Sequence, residues 1–215
     1  MAYDLEEQEQ LASLKAWWNQ YGNLLSWVLI VVLAAYAGWM YFENSKRTNS
    51  QQASQLYEEM NKAMAAKDVA KVTRAATDIQ TRFANTNYAP MASLVAAKAS
   101  FDANDLKTSK TQLQWVIAHS KEAEFLALAK LRLAGVLLDE KAYDEALKQL
   151  AGEFPAEFNA QVLDRKGDIL FAQNKLPEAR SAFEQALSKV DEKHPMRQLI
   201  QIKLDAVGGA SAKAA

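Results

Sequence analysis

With two histidines and no cysteine among 215 residues, the chain nearly lacks the side chains that most often act as general base, thiol nucleophile or soft metal ligand. His119 and His194 each fall in a predicted interhelical turn, with no second histidine at ligand spacing, and read as solvated. No G-x-S-x-G, H-E-x-x-H, Gly-rich phosphate loop or EF-hand run occurs. The carboxylate pairs Glu58–Glu59, Asp139–Glu140 and Asp144–Glu145 are adjacent in sequence. On a helix only residues three or four apart face each other, so these pairs diverge and read as charged outer faces. Lys141, Lys148 and Arg165 suit either a carboxylate clamp for a peptide terminus or plain surface charge, and Trp115 reads as core. The expectation is a non-enzymatic protein with no cofactor and no metal. A formal net charge of −1 supplies no long-range attraction to nucleic acid, which is therefore not an expected partner.

The elements that must carry these residues are helices. Seven Gly and four Pro punctuate a chain rich in Ala, Leu, Lys, Glu and Gln. One pattern recurs along it. Leu133-Ala134-x-x-Leu137 is followed by Tyr143, Ala146 and Leu150, and Lys166-Gly167-x-x-Leu170 by Leu176, Ala179, Phe183 and Ala186-Leu187. Ala134 to Gly167 and Ala146 to Ala179 are both 33 residues. A weaker copy, Ala96-Ala97-x-x-Ser100 with Leu106, Ser109, Leu113 and Val116, lies 37 residues upstream, the extra residues falling in the loop His119–Glu124. Small residues at Ala97, Ala134, Ala146, Gly167 and Ala179 stand where paired helices cross, and Phe183 is the large one that follows. The pattern resembles the tetratricopeptide repeat, although Lys130 and Leu163 replace its first aromatic and Leu137 and Leu170 its Tyr. Such hairpins stack into a superhelix whose concave side binds other proteins. Further expectations are Pro90 opening one helix, and Met196–Val207 closing the stack with Leu199, Ile202 and Val207 inward and Arg197, Gln201 and Asp205 outward.

Ahead of the repeats, Tyr21–Phe42 contains no charged residue and as a helix reaches roughly 33 Å, enough to cross a hydrocarbon core of about 30 Å. Trp27, Trp39, Tyr41 and Phe42 are suited to headgroup depth. Ala35-Tyr36-Ala37 offers a small-x-small cleavage pattern, but Asp4, Glu6, Glu7 and Glu9 precede the run against Lys15 alone, which is not the flank of a removable signal. Tyr36 lies deep in the span among Ala34, Ala35, Ala37 and Gly38, so Tyr36 and Trp39 are candidates for contact with a neighbouring helix. Leu11, Leu14, Trp18, Tyr21 and Leu25 share one helical face, fitting a short amphipathic helix at the headgroups that turns into the span, the alternative being a frayed tail. The resulting plan is all-α: segment 1–20, a single N-terminal transmembrane helix over 21–42, a linker or exposed helical continuation over 43–55, a tetratricopeptide-like α-solenoid over 56–207, and a disordered tail over 208–215.

The whole layout resembles a bacterial family. An acidic, aromatic N-terminus, one span, a polar juxtamembrane stretch and a repeat domain carrying Gln112-Leu113-Gln114-Trp115-Val116 and Leu131-Arg132-Leu133-Ala134 are similar to the ancillary subunits of the SecYEG translocon, the YfgM-like proteins. That resemblance implies a single-pass type II protein of the inner membrane with a periplasmic repeat domain. The implied partners are the SecYEG translocon, a membrane-anchored periplasmic chaperone of the prolyl-isomerase type, and nascent secreted proteins passed between them. For the same family it implies a second role, restraint of a stress-response regulator through residues 1–20. Lys46, Arg47 and Lys62 after the span outnumber Lys15 before it, and the positive-inside rule alone would turn the repeats to the cytoplasm. Long domains cross the membrane largely regardless of such counts, so the family orientation is preferred. The alternative is a membrane-tethered regulator or assembly factor whose repeats recruit a soluble cytoplasmic protein.

Overall fold

The computed structural model describes residues 2–208, with side chains from Glu7 onward except at residue 8. Of the expected disordered tail, all but Gly208 lies outside the described residues. The fold is all-α: among the described residues nine α-helices and one 3₁₀ turn follow one another without a strand.

The first helix, α1, runs from Ala2 to Ala65, and the chain divides into two compact units between Gln51 and Gln52. In the first unit, the large apolar side chains from Leu11 to Phe42 are 41–80% exposed. The most apolar 18-residue window has a mean hydropathy of 1.9 and none of it is buried. By length and composition α1 is a helix able to cross a membrane. Residues 43–55 are helical as well, so of the two forms expected for that stretch the structure has the helical continuation.

The second unit is a series of helical hairpins. The last turns of α1 pair with α2 (Val69–Arg82), α3 (Tyr88–Asp102) with α4 (Leu106–His119), α5 (Ala123–Asp139) with α6 (Tyr143–Gln149), and α7 (Asn159–Ala172) with α8 (Leu176–Ser188). A closing helix, α9, spans Pro195–Ala206. The end of α1 shares an apolar cluster with α2 and α3, from α2 onward successive helices pack on each other, and α5 also touches the first helices of the hairpins on either side, α3 and α7. This is the nearest-neighbour pattern of a repeat stack.

One backbone turn joins the helices inside every hairpin. Lys67, Asn104, Lys141 and Asn174 adopt φ of 56–61°, the left-handed conformation that ends a helix. The following amide reaches five residues back: Asp68 to Ala63 O, Asp105 to Ser100 O, Ala142 to Leu137 O and Lys175 to Leu170 O, at 2.8–2.9 Å. These turns are spaced by 37, 37 and 33 residues, so the stack begins one hairpin earlier than the three copies visible in the sequence.

The same register organises the core. Met60, Ala97, Ala134 and Gly167 are equivalent on the first helices, and Val72, Ser109, Ala146 and Ala179 on the second; all are buried. One turn further on stand Ala76, Leu113, Leu150 and Phe183, at most 2% exposed. Volume is traded between these sets. Met60 is matched with Ala76, and Gly167 with Phe183. Between the first two hairpins the apolar packing is interrupted by an amide network, in which Gln80 Nε2 donates to Ser93 Oγ at 2.7 Å and to Gln112 Oε1.

Two sequence expectations need correction. Pro90 is the third residue of α3, not its opener, which still costs no hydrogen bond because the first four amides of a helix have no intrahelical partner. In α9 the buried residues are Ile200 and Leu204, with Val207 at its end, while Leu199 is 51% and Ile202 59% exposed. Arg197 turns inward instead of outward, donating to Leu187 O and Val190 O at 3.2 and 3.3 Å and so closing the end of α8.

Candidate protein-binding cleft

The first helices of the hairpins, with Ser109 and Leu113 of α4, line a cleft in the repeat unit. Ala97, Lys98 and Phe101 of α3, Arg132, Gly135, Val136 and Asp139 of α5, and Arg165 of α7 bound a cavity of about 500 Å³. A neighbouring cavity of about 210 Å³ is lined by Tyr57 and Met64 from the end of α1, Met91, Leu94, Val95 and Lys98 of α3, and again Arg132. Lys98 and Arg132 belong to both, so the two form one cleft across successive hairpins.

The helices dictate what faces it. Arg132 and Gly135 are three apart on α5 and Val136 and Asp139 follow at helical spacing, so one face of that helix supplies all four. The Arg165 guanidinium lies beside Gly135, 3.6 Å from where a Cβ would be, an ordinary contact distance. The cleft mixes apolar walls with charge. Lys98 is satisfied by Asp102 at 2.7 Å. Arg165 has only a loose contact with Asp168, at 3.7 Å, because Asp168 and Asp164 both bind Lys203 at 2.8 Å. Arg132 donates to Leu94 O at 3.0 Å and has no carboxylate partner among the described residues. Burial pulls its pKa below the usual arginine value, the sign of a cation that has lost water without gaining an anion. At the cleft's other end the Tyr57 ring lies 5.6 Å from that of Tyr88, and burial, with Tyr88 second, pushes its hydroxyl pKa up.

The residues singled out by sequence divide cleanly. Arg165 lines the cleft. Lys141 is the left-handed residue of the α5–α6 turn and, like Lys148 on α6, is exposed and outside the cleft lining. The three do not converge, and the clamp expected of them is not assembled. Arg132 was passed over in an otherwise apolar run, yet it holds the cleft's central position. Tyr36 and Trp39 are exposed on α1 with ring centroids 6.2 Å apart. Both histidines are exposed. His119 stacks on Trp115 at 4.5 Å, and His194 caps α9 by accepting from Met196 N. Trp115 packs partly buried against the cores of both adjoining hairpins. Ala97, Ala134, Ala146, Gly167, Ala179 and Phe183 are all buried. A Cβ on Gly167 would lie 2.3 Å from the Phe183 ring.

Paired helices with small residues at the crossings, repeated along a stack with a cleft on the first helices, define a tetratricopeptide-like repeat protein, and the profile of the tetratricopeptide repeat-like domain matches residues 15–209. Full-length relatives refine this. The chain is 32% identical over 208 residues to the ancillary SecYEG translocon subunit of Neisseria gonorrhoeae, covering 96% of this chain and 100% of the relative. It is 28% identical to that of Escherichia coli K12 over 93% of this chain and 95% of the relative, and 27% identical to that of Haemophilus influenzae over 86% and 91%. The chain belongs to the family of ancillary SecYEG translocon subunits. No solved structure matches it.

Proposed function

We propose that the chain is a membrane-anchored, non-enzymatic scaffold that associates with the SecYEG translocon in the inner membrane and passes secreted proteins to a periplasmic chaperone of the prolyl-isomerase type. In this reading residues 1–20 are cytoplasmic, residues 21–42 span the bilayer, residues 43–55 leave it, and residues 56–207 present the repeats to the periplasm. The observation that carries it is the cleft across the hairpins, since a groove that combines apolar walls with convergent charges suits the binding of chain segments. The names of the full-length relatives supply the translocon. Ala97, Ala134, Ala146, Gly167, Ala179 and Phe183 set the spacing of the stack, and Tyr36 and Trp39 meet a neighbouring helix in the membrane.

The competing reading, a cytoplasmic regulator, draws on the excess of Lys46, Arg47 and Lys62 over Lys15. One fusion experiment separates the two. Alkaline phosphatase joined after Lys213 is expected to be active, and a reporter that fluoresces only in the cytoplasm is expected to stay dark. The reverse pair of results would retire the hand-over reading in favour of the regulator.

A further inference from the structure

We propose that the cleft reads an acidic side chain: Arg132 binds the carboxylate of a Glu or Asp inside an extended, otherwise apolar peptide, and Arg165 gives it a second cationic contact. This deepens the scaffold reading and rests on its claim that the repeat unit holds protein segments.

Arg132 has more donors than partners among the described residues. A guanidinium presents five N–H donors, and one NH1 contact, to Leu94 O at 3.0 Å, is what the described residues return to Arg132. A half-buried cation in that condition favours a carboxylate, which accepts two parallel hydrogen bonds and restores neutrality. Nearby acids are engaged elsewhere: Asp102 holds Lys98, and Asp168 holds Lys203. Asp139 shares the cleft but stands seven residues along α5, about 10 Å by helical rise. Its presence with Asp102 also disfavours a phosphate or a nucleic-acid backbone, because two aspartates and three cations line the larger cavity. A singly charged group fits that balance.

The walls decide what surrounds the charge. On one side of Arg132 lie Met64, Met91 and Val95, and on the other Phe101 and Val136. Methionine is soft enough to accept varied apolar side chains. Because cavities open on both sides of the arginine, a bound chain continues past it in both directions. That favours an internal acidic residue over a chain terminus, which would leave one cavity empty.

The test uses the full-length chain in phospholipid nanodiscs and three fluorescein-labelled peptides. The first is an amidated heptapeptide with a central glutamate between leucine and phenylalanine. The second has glutamine at the centre, and the third stops at that position in a free carboxylate. Fluorescence anisotropy is expected to show the glutamate peptide binding at least about tenfold tighter than the glutamine peptide. Arg132→Gln should erase the difference, Arg132→Lys should keep part of it, and Arg165→Gln should reduce it. Thermal melts of each variant separate lost recognition from lost folding, and the glutamate–glutamine comparison needs no variant at all. Equal binding of these two peptides, or no binding of either, overturns the inference. Tighter binding of the free-carboxylate peptide overturns it in favour of terminus recognition. The scaffold reading fails by a different sign, the absence of translocon subunits from material co-purified with the wild-type chain.

Discussion

Gly167 shows how one atom sets the spacing of a hairpin. Replacing glycine by alanine inside a helix ordinarily gains up to about 1 kcal/mol. Here the new Cβ would lie 2.3 Å from a Phe183 ring that is only 2% exposed, so overpacking of about 1–3 kcal/mol wins. Gly167→Ala is therefore expected to lower the melting midpoint, and Phe183→Leu in the same chain to recover part of the loss. Ala146→Leu and Ala179→Leu should destabilise for the same reason, and unchanged midpoints for both would refute the repeat register. Lys203 makes a second case. Its Nζ lies 2.8 Å from both Asp164 and Asp168, whose side chains are 14% and 21% exposed. Burial raises the Asp168 pKa more than Lys203 lowers it. The stability linked to Asp168 is thus fully present below the unfolded value of about 3.9 and is lost as pH rises through the folded value. Lys203→Met should cost up to about 3 kcal/mol at pH 7, the lower end for breaking a buried pair. The loss should shrink toward pH 4, where a carboxylate takes up a proton, and melts at the two pH values would show a pH-independent deficit if the reasoning is wrong. Gly167 and Phe183 were legible because they keep the family's residue types at the family's spacing. Arg132 was not, because nothing in Leu131-Arg132-Leu133 tells that the arginine meets a carbonyl 38 residues away.

Among the helices, the start signals are chemical. Asp68 and Asp105 each accept from the backbone amide three residues on, at 3.0 Å. The Lys71 amide holds the Asp68 carboxyl below the usual carboxylate range, and Thr108 does so for Asp105, chiefly through its hydroxyl. For groups lowered in this way the stabilisation is present above the unfolded value and is lost as pH falls through the folded one, opposite in sign to Asp168. Asp105→Ala should lower the melting midpoint at pH 7, with a gap to wild type that narrows at pH 3; an equal gap would mean that the charge contributes nothing to the cap. The first hairpin lies within the solenoid expected over 56–207, but its place in the repeat register was not legible, because Met60 and Val72 stand where later copies have small residues. They share one buried cluster with the small Ala76, a compensation that no fixed-position pattern registers. In α9 the apolar residues form two possible stripes, and the sequence alone does not say which one meets α8. Packing chose Ile200 and Leu204, leaving Leu199 and Ile202 outward.

At the scale of the molecule, the long apolar helix was the most legible part, since an uncharged run over residues 21–42 has few alternatives in water. If the apolar run is a span, as proposed, it has more aromatic residues than anchoring requires, since Trp27, Tyr36, Trp39 and Tyr41 are all exposed along it. Replacing residues 24–42 with an unrelated apolar helix of equal length is expected to reduce recovery of the translocon or the chaperone after mild detergent extraction, while the melting of the repeat unit stays unchanged. Full recovery of both would leave the span as an anchor alone. The four matching left-handed turns, 37, 37 and 33 residues apart, bear on ancestry as much as on stability. A duplication or deletion whose breakpoints both fall at equivalent turns joins the first helix of one hairpin to the second helix of another through the same turn, so the gene can lengthen or shorten in whole-hairpin steps with the repeat register kept.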